Sequence, residues 1–334
     1  MSETAANPRR IPDRLSGRGM AALQSWESLL VVVAIAVFVA NTLASPYFLD
    51  PYSLSDATYN FTERAMIGFA MALLIISGEI DLSVASIIAL ASTAMGAAAA
   101  AGFGIPVLVV VALVVGLVCG AFNGFLVTRL GLPSIVVTIG TLSLFRGIAF
   151  IVLGDQAYTS YPSGFSWFGM GYVFWVVTFE LVLFVVFAVI YGIVLHKTNF
   201  GRQVTVIGNN PTAALFSGIR VARVKFILFL LTGVMSGIAA VCLTARLGST
   251  RPSIALGWEL EVVTMVVLGG VNILGGSGTI PGVVLGAMIM GMVTFGLGLL
   301  NVPGTVMSIF TGILLIAVIA LPIVWRRVRT RMRT

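Results

Sequence analysis

Charge is scarce in this chain. Only 9% of its 334 residues are Asp, Glu, Lys or Arg, against about 25% in an ordinary soluble domain, which excludes a water-exposed globular surface. Lysine is rarer still: Lys197 and Lys225 are the only two, and neither stands in a GxxxxGK[ST] loop, so ATP hydrolysis by this chain is not expected. The single histidine, His196, leaves no basis for a His-dependent metallopeptidase and is placed to complement the dipole of a helix end. Two cysteines, Cys119 and Cys242, lie inside apolar runs and suggest neither a disulfide framework nor a metal site.

What is abundant is apolar. Hydrophobic residues make up 59% of the chain and the mean hydropathy is +1.09, which predicts an all-α polytopic membrane protein. Apolar runs approaching the roughly 20 residues that cross a bilayer fall near 27–45, 64–78, 84–101, 106–127, 134–153, 172–195, 224–245, 259–274, 280–299 and 303–325. About ten spans, some of them broken, are therefore expected. The 37 glycines suit close helix packing. The organisation reads as an N-terminal tail (1–26), a membrane domain (27–325) containing a polar loop (196–223), and a basic tail (326–334). Residues 1–25 are polar, without the apolar core of a signal peptide, so the first span is expected to be retained.

The net charge of +7 would suit nucleic acid, but its placement points elsewhere. With a cytoplasmic N-terminus, fifteen of the nineteen basic residues fall on one side: Arg9, Arg10, Arg14, Arg18, Arg129, Lys197, Arg202, Arg220, Arg223, Lys225 and the five arginines of Arg326 to Arg333. The positive-inside rule then puts both termini in the cytoplasm of a multi-pass protein, and the tail RRVRTRMRT anchors to anionic lipid.

Three features carry possible function. The first is the segment HKTNFGRQVTVIGNNPTAALFSGIRVAR from His196 to Arg223. Asn210 can cap a short helix that starts at Pro211 and ends at Gly218, about two turns presenting Ala213, Ala214 and Phe216 within a ring of positive charge. Alone it would be marginal, so it needs the membrane domain or a second protein to hold it. The second feature is a pair of interrupted runs, SGEIDLSVAS (77–86) and GGVNILGGSGTIPG (269–282). Irregular backbone at membrane depth needs a protein or aqueous surround, and paired interruptions point to a translocation path, although the weak similarity leaves an internal repeat open.

The third is a set of polar residues within the spans. Glu79 and Asp81, beside Ser83, would cost roughly 2.5 to 3.5 kcal/mol each at bilayer centre. They mark either a cytoplasmic turn that caps the next helix or the inner part of a path. Arg146 and Glu180 each lie about seven or eight residues from a helix end, which predicts an ion pair with a structural or a path role. Asn123, Thr138, Thr141, Ser143, Thr264 and Asn272 can bind polyhydroxylated cargo or hold helices together. Two aromatic loops, 45–60 and 154–172, form an interfacial belt or receive an external partner.

From about 27 to 325 the chain resembles the membrane permeases of bacterial ABC importers for simple sugars, the ribose, arabinose, xylose, rhamnose and autoinducer-2 group. The resemblance rests on SGEIDLSVAS, GLPSIVVTIGTLSLFRGIA, KTNFGRQVTVIGNNPTAALFSGI and VVLGGVNILGGSGTIPG. It implies a bacterial inner-membrane permease that meets a second permease, homologous or identical, around a central path. A cytoplasmic ATPase using ATP and Mg would sit below and an external sugar-binding protein above, with no cofactor on this chain. The family's coupling helix corresponds to NNPTAALFSGI, so Asn209, Asn210, Pro211, Ala213, Ala214, Ser217, Gly218 and Ile219 carry over as ATPase-docking residues, joined by Gly201 and Arg202 of the same motif. Glu79 departs from the GGIDLS common in relatives. The loop 45–60, GDQAYTSYP and RLGSTRPSIALGWELE look most like rhamnose-type permeases. An ion-coupled transporter using Glu79, Asp81 or Glu180, or a scaffold without flux, stays open on the residues alone.

Overall fold

A computed structural model describes residues 26–310, 312–314 and 316. The basic tail at 326–334, most of the N-terminal tail and about half of the expected tenth span lie outside the described residues. Helices α1 (Trp26–Ala44), α2 (Pro51–Tyr59), α3 (Thr62–Ile76), α4 (Val84–Ala100), α5 (Ile105–Arg129) and α6 (Ser134–Leu153) lead to a short α7 (Trp167–Met170). A small antiparallel hairpin follows, β1 (Tyr172–Phe174) with β2 (Val177–Thr178), then α8 (Phe179–Lys197), α9 (Asn199–Asn209), α10 (Pro211–Phe216), α11 (Val221–Leu247), α12 (Trp258–Leu268) and α13 (Ile280–Leu299). A further helical stretch opens at Gly304.

Six helices, α1, α5, α6, α8, α11 and α13, are long and apolar enough to cross a membrane, or seven if α2 and α3, bent by 44°, form one span. That count is made of the described residues, and two shorter apolar helices, α4 and the stretch from Gly304, stand beside it, so the expectation of about ten is met only in part. Hydropathy counts apolar residues, whereas a span needs continuous backbone hydrogen bonding. The run at 259–274 stops being helical after Leu268, because Gly269 and Gly270, the latter at φ +86°, end α12 after 11 residues. The run at 84–101 gives the 17-residue α4. The hairpin also departs from a purely helical chain, and it moves the start of the expected 172–195 span to Phe179. The loop expected at 45–60 contains α2, whose first turn is capped by Asp50, the carboxylate accepting from the backbone N–H of Tyr52 and Ser53.

At the centre stands α3, buried on every side except at Arg64 and packed against α8, α11, α12 and α13. A helix apolar around its whole circumference has no wet face, so it belongs inside the bundle. Beside it, α5 and α11 approach until backbone touches backbone. A Cβ at Gly116 would lie 2.3 Å from the Gly233 carbonyl oxygen, and one at Gly120 would lie 2.4 Å from that of Phe229. Gly116, Gly120 and Gly124 recur every four residues, the small-residue ridge by which membrane helices pack closely. This contact fixes the wall against which the functional loops are hung.

Candidate functional site

The polar interruption after α8 folds into two helices, not a loop with one. Thr198 opens α9: its hydroxyl accepts from the Gly201 N–H at 3.2 Å and donates to the Val194 carbonyl at 2.6 Å. Gly201 is required there, because a Cβ would stand 2.1 Å from the Leu195 carbonyl oxygen. Along α9, Val204 and Ile207 are fully buried while Arg202 remains exposed beside Asn199. This helix is missing from the sequence reading, yet its signal was present: a Thr cap followed by inward-facing residues at helical spacing.

At the end of α9 the chain touches both interrupted segments. A Cβ on Gly208 would lie 1.7 Å from the Ile76 carbonyl oxygen and 2.5 Å from the Gly276 nitrogen. Asn209 donates its amide to the Gly276 carbonyl at 3.0 Å and to that of Thr205 at 2.8 Å. The Gly276 N–H itself donates to the Ile76 carbonyl at 2.9 Å. The breaks after α3 and α12 therefore lie side by side, joined by the Gly276 N–H, with Asn209 tying the second of them to α9.

Immediately beyond, α10 stands as expected. Asn210 is extended and its carbonyl oxygen Oδ1 accepts from the Ala213 N–H at 2.9 Å, with Pro211 in the first turn. Such a cap contributes about 1 kcal/mol. Ala214 is fully buried, Ile219 is half-buried, and the Ile219 N–H donates to the Ala214 carbonyl at 3.1 Å. The Ser217 hydroxyl donates to the Ala213 carbonyl at 2.9 Å, and Gly218, at φ +81°, turns the chain into α11. Pro211, Ala213, Ser217 and Gly218 are exposed, as are Leu215 at 62% and Phe216 at 87%. An apolar pair so exposed on a capped helix is a contact surface without a partner among the described residues.

The loop that follows α3 carries a buried polar network. Asp81 is fully buried and accepts from the Ser83 N–H at 2.9 Å and the Ser83 hydroxyl at 2.6 Å. Asn123 of α5 donates to the Ser83 hydroxyl at 2.7 Å, and the Thr232 hydroxyl of α11 lies 3.3 Å from the other Asp81 oxygen. A buried carboxylate is tolerable only with such donors. Asp81, Ser83 and Asn123, expected separately, thus meet in one knot that ties the loop to α5 and α11. Glu79 forms an ion pair with Lys225 near the start of α11, the helix that follows α10. Asn272 stands apart: it is exposed, and its side chain accepts from the Leu274 N–H at 3.1 Å, shaping the second interrupted segment.

Arg146 and Glu180 do not pair, and the expected ion pair is withdrawn. Because α8 begins at Phe179, Glu180 sits in its first turn and not two turns deep. It accepts from the Thr62 hydroxyl at 3.0 Å, next to Glu63, which Arg246 grips with two bonds of 2.9 and 2.7 Å. Arg146 donates to the carbonyls of Pro252 and Ile254, both at 2.7 Å, and so holds the loop between α11 and α12. Thr138 and Thr264 donate to carbonyls one turn back at 2.8 and 2.7 Å, the helix-holding use of such residues. His196 ends α8, and its ring accepts from the Ile280 N–H that opens α13, at 3.4 Å.

The profile of the family described as branched-chain amino acid transport system / permease component matches residues 53–319. The chain is 33% identical over 301 residues to the autoinducer 2 import system permease protein LsrD of Salmonella typhimurium strain LT2, covering 88% of this chain and 90% of that one. The protein of the same name from Klebsiella pneumoniae matches to the same extent, and that of Escherichia coli O9:H4 is 33% identical over 300 residues, covering 88% and 91%. No solved structure matches the chain. The interrupted segments and the α9–α10 unit both lie within the matched region, and the chain belongs to this family of membrane transport permeases.

Proposed function

We propose that this chain is one permease subunit of an ABC-type importer in a bacterial inner membrane, with both termini in the cytoplasm. It joins a second permease around a path, receives cargo from an external binding protein, and is driven by a separate ATPase that consumes ATP with Mg. The ATPase docks on α10. The observation that carries this reading is the continuity from the exposed Leu215 and Phe216, through Asn210 and Asn209, to the backbone of both interrupted segments. A push on α10 has a short, hydrogen-bonded route to the two places where membrane helices are broken. For the push to do work, α10 must be held differently in the two states of the permease.

The cargo is a small polyhydroxylated molecule. The relatives carry autoinducer 2 in their names, and none reported above names rhamnose, so autoinducer 2 is the first compound to offer and rhamnose the second. The test is ATP-driven uptake by the reconstituted complex with Ala213→Arg and Gly218→Trp. Ala213 is exposed, so the arginine blocks docking without disturbing the core; Gly218 has a left-handed φ that any side chain strains. Both variants are expected to insert normally and to lose uptake. Normal uptake in either sinks docking at α10, while uptake that persists without ATP and collapses with an ion gradient makes the chain an ion-coupled transporter.

A further inference from the structure

A groove of about 930 Å³ opens between α5, Leu215 of α10 and the start of α11. Three arginines line it, Arg129, Arg220 and Arg223, together with Phe125 and Phe226. All three are exposed, and none makes an ion pair or side-chain hydrogen bond among the described residues. Arg220 and Arg223 open α11, where the helix dipole is itself positive and offers no compensation. The groove therefore holds three uncompensated positive charges against an aromatic wall.

That wall continues along the membrane helix. Val118, Phe122, Phe125 and Arg129 follow at helical spacing on α5, and all are exposed, Val118 at 59% and Phe125 at 49%. The stripe is apolar along a membrane-spanning helix and ends in charge at its terminus. An acidic protein segment arriving from water would answer the arginines and leave the stripe unexplained. A molecule with an anionic head and hydrocarbon tails answers both.

We infer that the groove between α5, α10 and α11 is a binding site for an anionic phospholipid, its phosphate held by Arg129, Arg220 and Arg223 and its acyl chains laid along Phe125, Phe122 and Val118. Basic pockets between membrane helices bind lipid headgroups in this way. The inference does not depend on the cargo, and Leu215, part of the α10 surface given above to the ATPase, forms one edge of the groove.

The test is native mass spectrometry of the intact complex, purified in mild detergent and offered cardiolipin, phosphatidylglycerol or phosphatidylethanolamine. The wild-type chain is expected to retain the two anionic lipids and to lose phosphatidylethanolamine. Each arginine removed is expected to weaken retention about fivefold, so that Arg129→Gln with Arg223→Gln weakens it about thirtyfold, whereas Arg202→Gln, outside the groove, leaves it unchanged. All these positions are exposed, and each single variant provides a separate reading if the double variant inserts poorly. Retention of anionic lipid equal in wild type and variants overturns the assignment. Loss of a protein partner from the variants with lipid retention intact also overturns it and makes the groove a protein-docking surface.

Discussion

At the α10 end, backbone meets backbone across Gly208, Gly275 and Gly276, with one neutral amide, Asn209, as the clasp. At the opposite end, charged and hydroxyl side chains cross-link the loops. Arg246 holds Glu63, Arg64 lies 2.9 Å from Glu261 and stacks 4.5 Å over Trp258, and Arg146 pins the Pro252 and Ile254 carbonyls. A chain of hydroxyls, Ser92 with Thr244 and Thr250, and Thr250 with Tyr161, ties α4 and α11 to both nearby loops. Tyr161 is buried enough that its phenol is pushed up to about 12, so this link keeps its proton at any ordinary pH. The lesson is a division of labour. Side-chain networks in a dry setting are costly to break and hold one arrangement, whereas single backbone contacts across glycines are individually weak and can be remade.

That comparison can be broken most forcefully at the stapled end. Arg246→Met leaves Glu63, 1% exposed, beside the fully buried Glu180 without a cation. The expected cost is about 3–5 kcal/mol, measured as a lower unfolding midpoint in detergent, and adding Glu63→Gln to the same chain should restore part of it. An unchanged midpoint for Arg246→Met would remove the staple from the account. Next in size is Gly208→Ala. Its Cβ cannot fit 1.7 Å from the Ile76 carbonyl oxygen, so α9 must retreat from α3 at a cost of about 1–3 kcal/mol, and uptake should fall further than stability. A structure of this variant with α9 unmoved would contradict the close approach. Smallest is Asn210→Ala, which removes the α10 cap for about 1 kcal/mol. It should weaken ATPase binding about fivefold in a pull-down titration while lowering the unfolding midpoint only slightly.

The same contrast explains what the sequence made legible. Asn210, Pro211 and Gly218 announce α10 because capping, proline placement and a left-handed glycine are local physics, complete within nine residues. Asp81, Ser83 and Asn123 stood out as polar residues in apolar surroundings, and burial required that they find each other. The opposite end was read wrongly for a matching reason. Pairing Arg146 with Glu180 depended on where α8 begins, and the hairpin at 172–178 shifted that start beyond reach of hydropathy. The run at 259–274 was overdrawn similarly, since Val271, Ile273 and Leu274 are apolar but sit in a glycine turn, not a helix. The missed α9 lay in a polar stretch whose inward residues, Val204 and Ile207, are too few to register as a run.

Glu79 is also clearer for the structure. It pairs with Lys225, which places an ion pair between the first interrupted segment and the helix that follows α10. At a partly exposed site such a pair contributes modestly, about 1 kcal/mol or less.

The central claim is that Asn209 transmits the movement of α10 to both interrupted segments. Its most direct test is Asn209→Ala in proteoliposomes holding the full complex, with ATP hydrolysis and cargo uptake measured on the same vesicles. The account predicts hydrolysis near the wild-type rate with uptake reduced tenfold or more, because the motor still docks while its stroke no longer reaches Gly276. Uptake that stays in wild-type proportion to hydrolysis would contradict it.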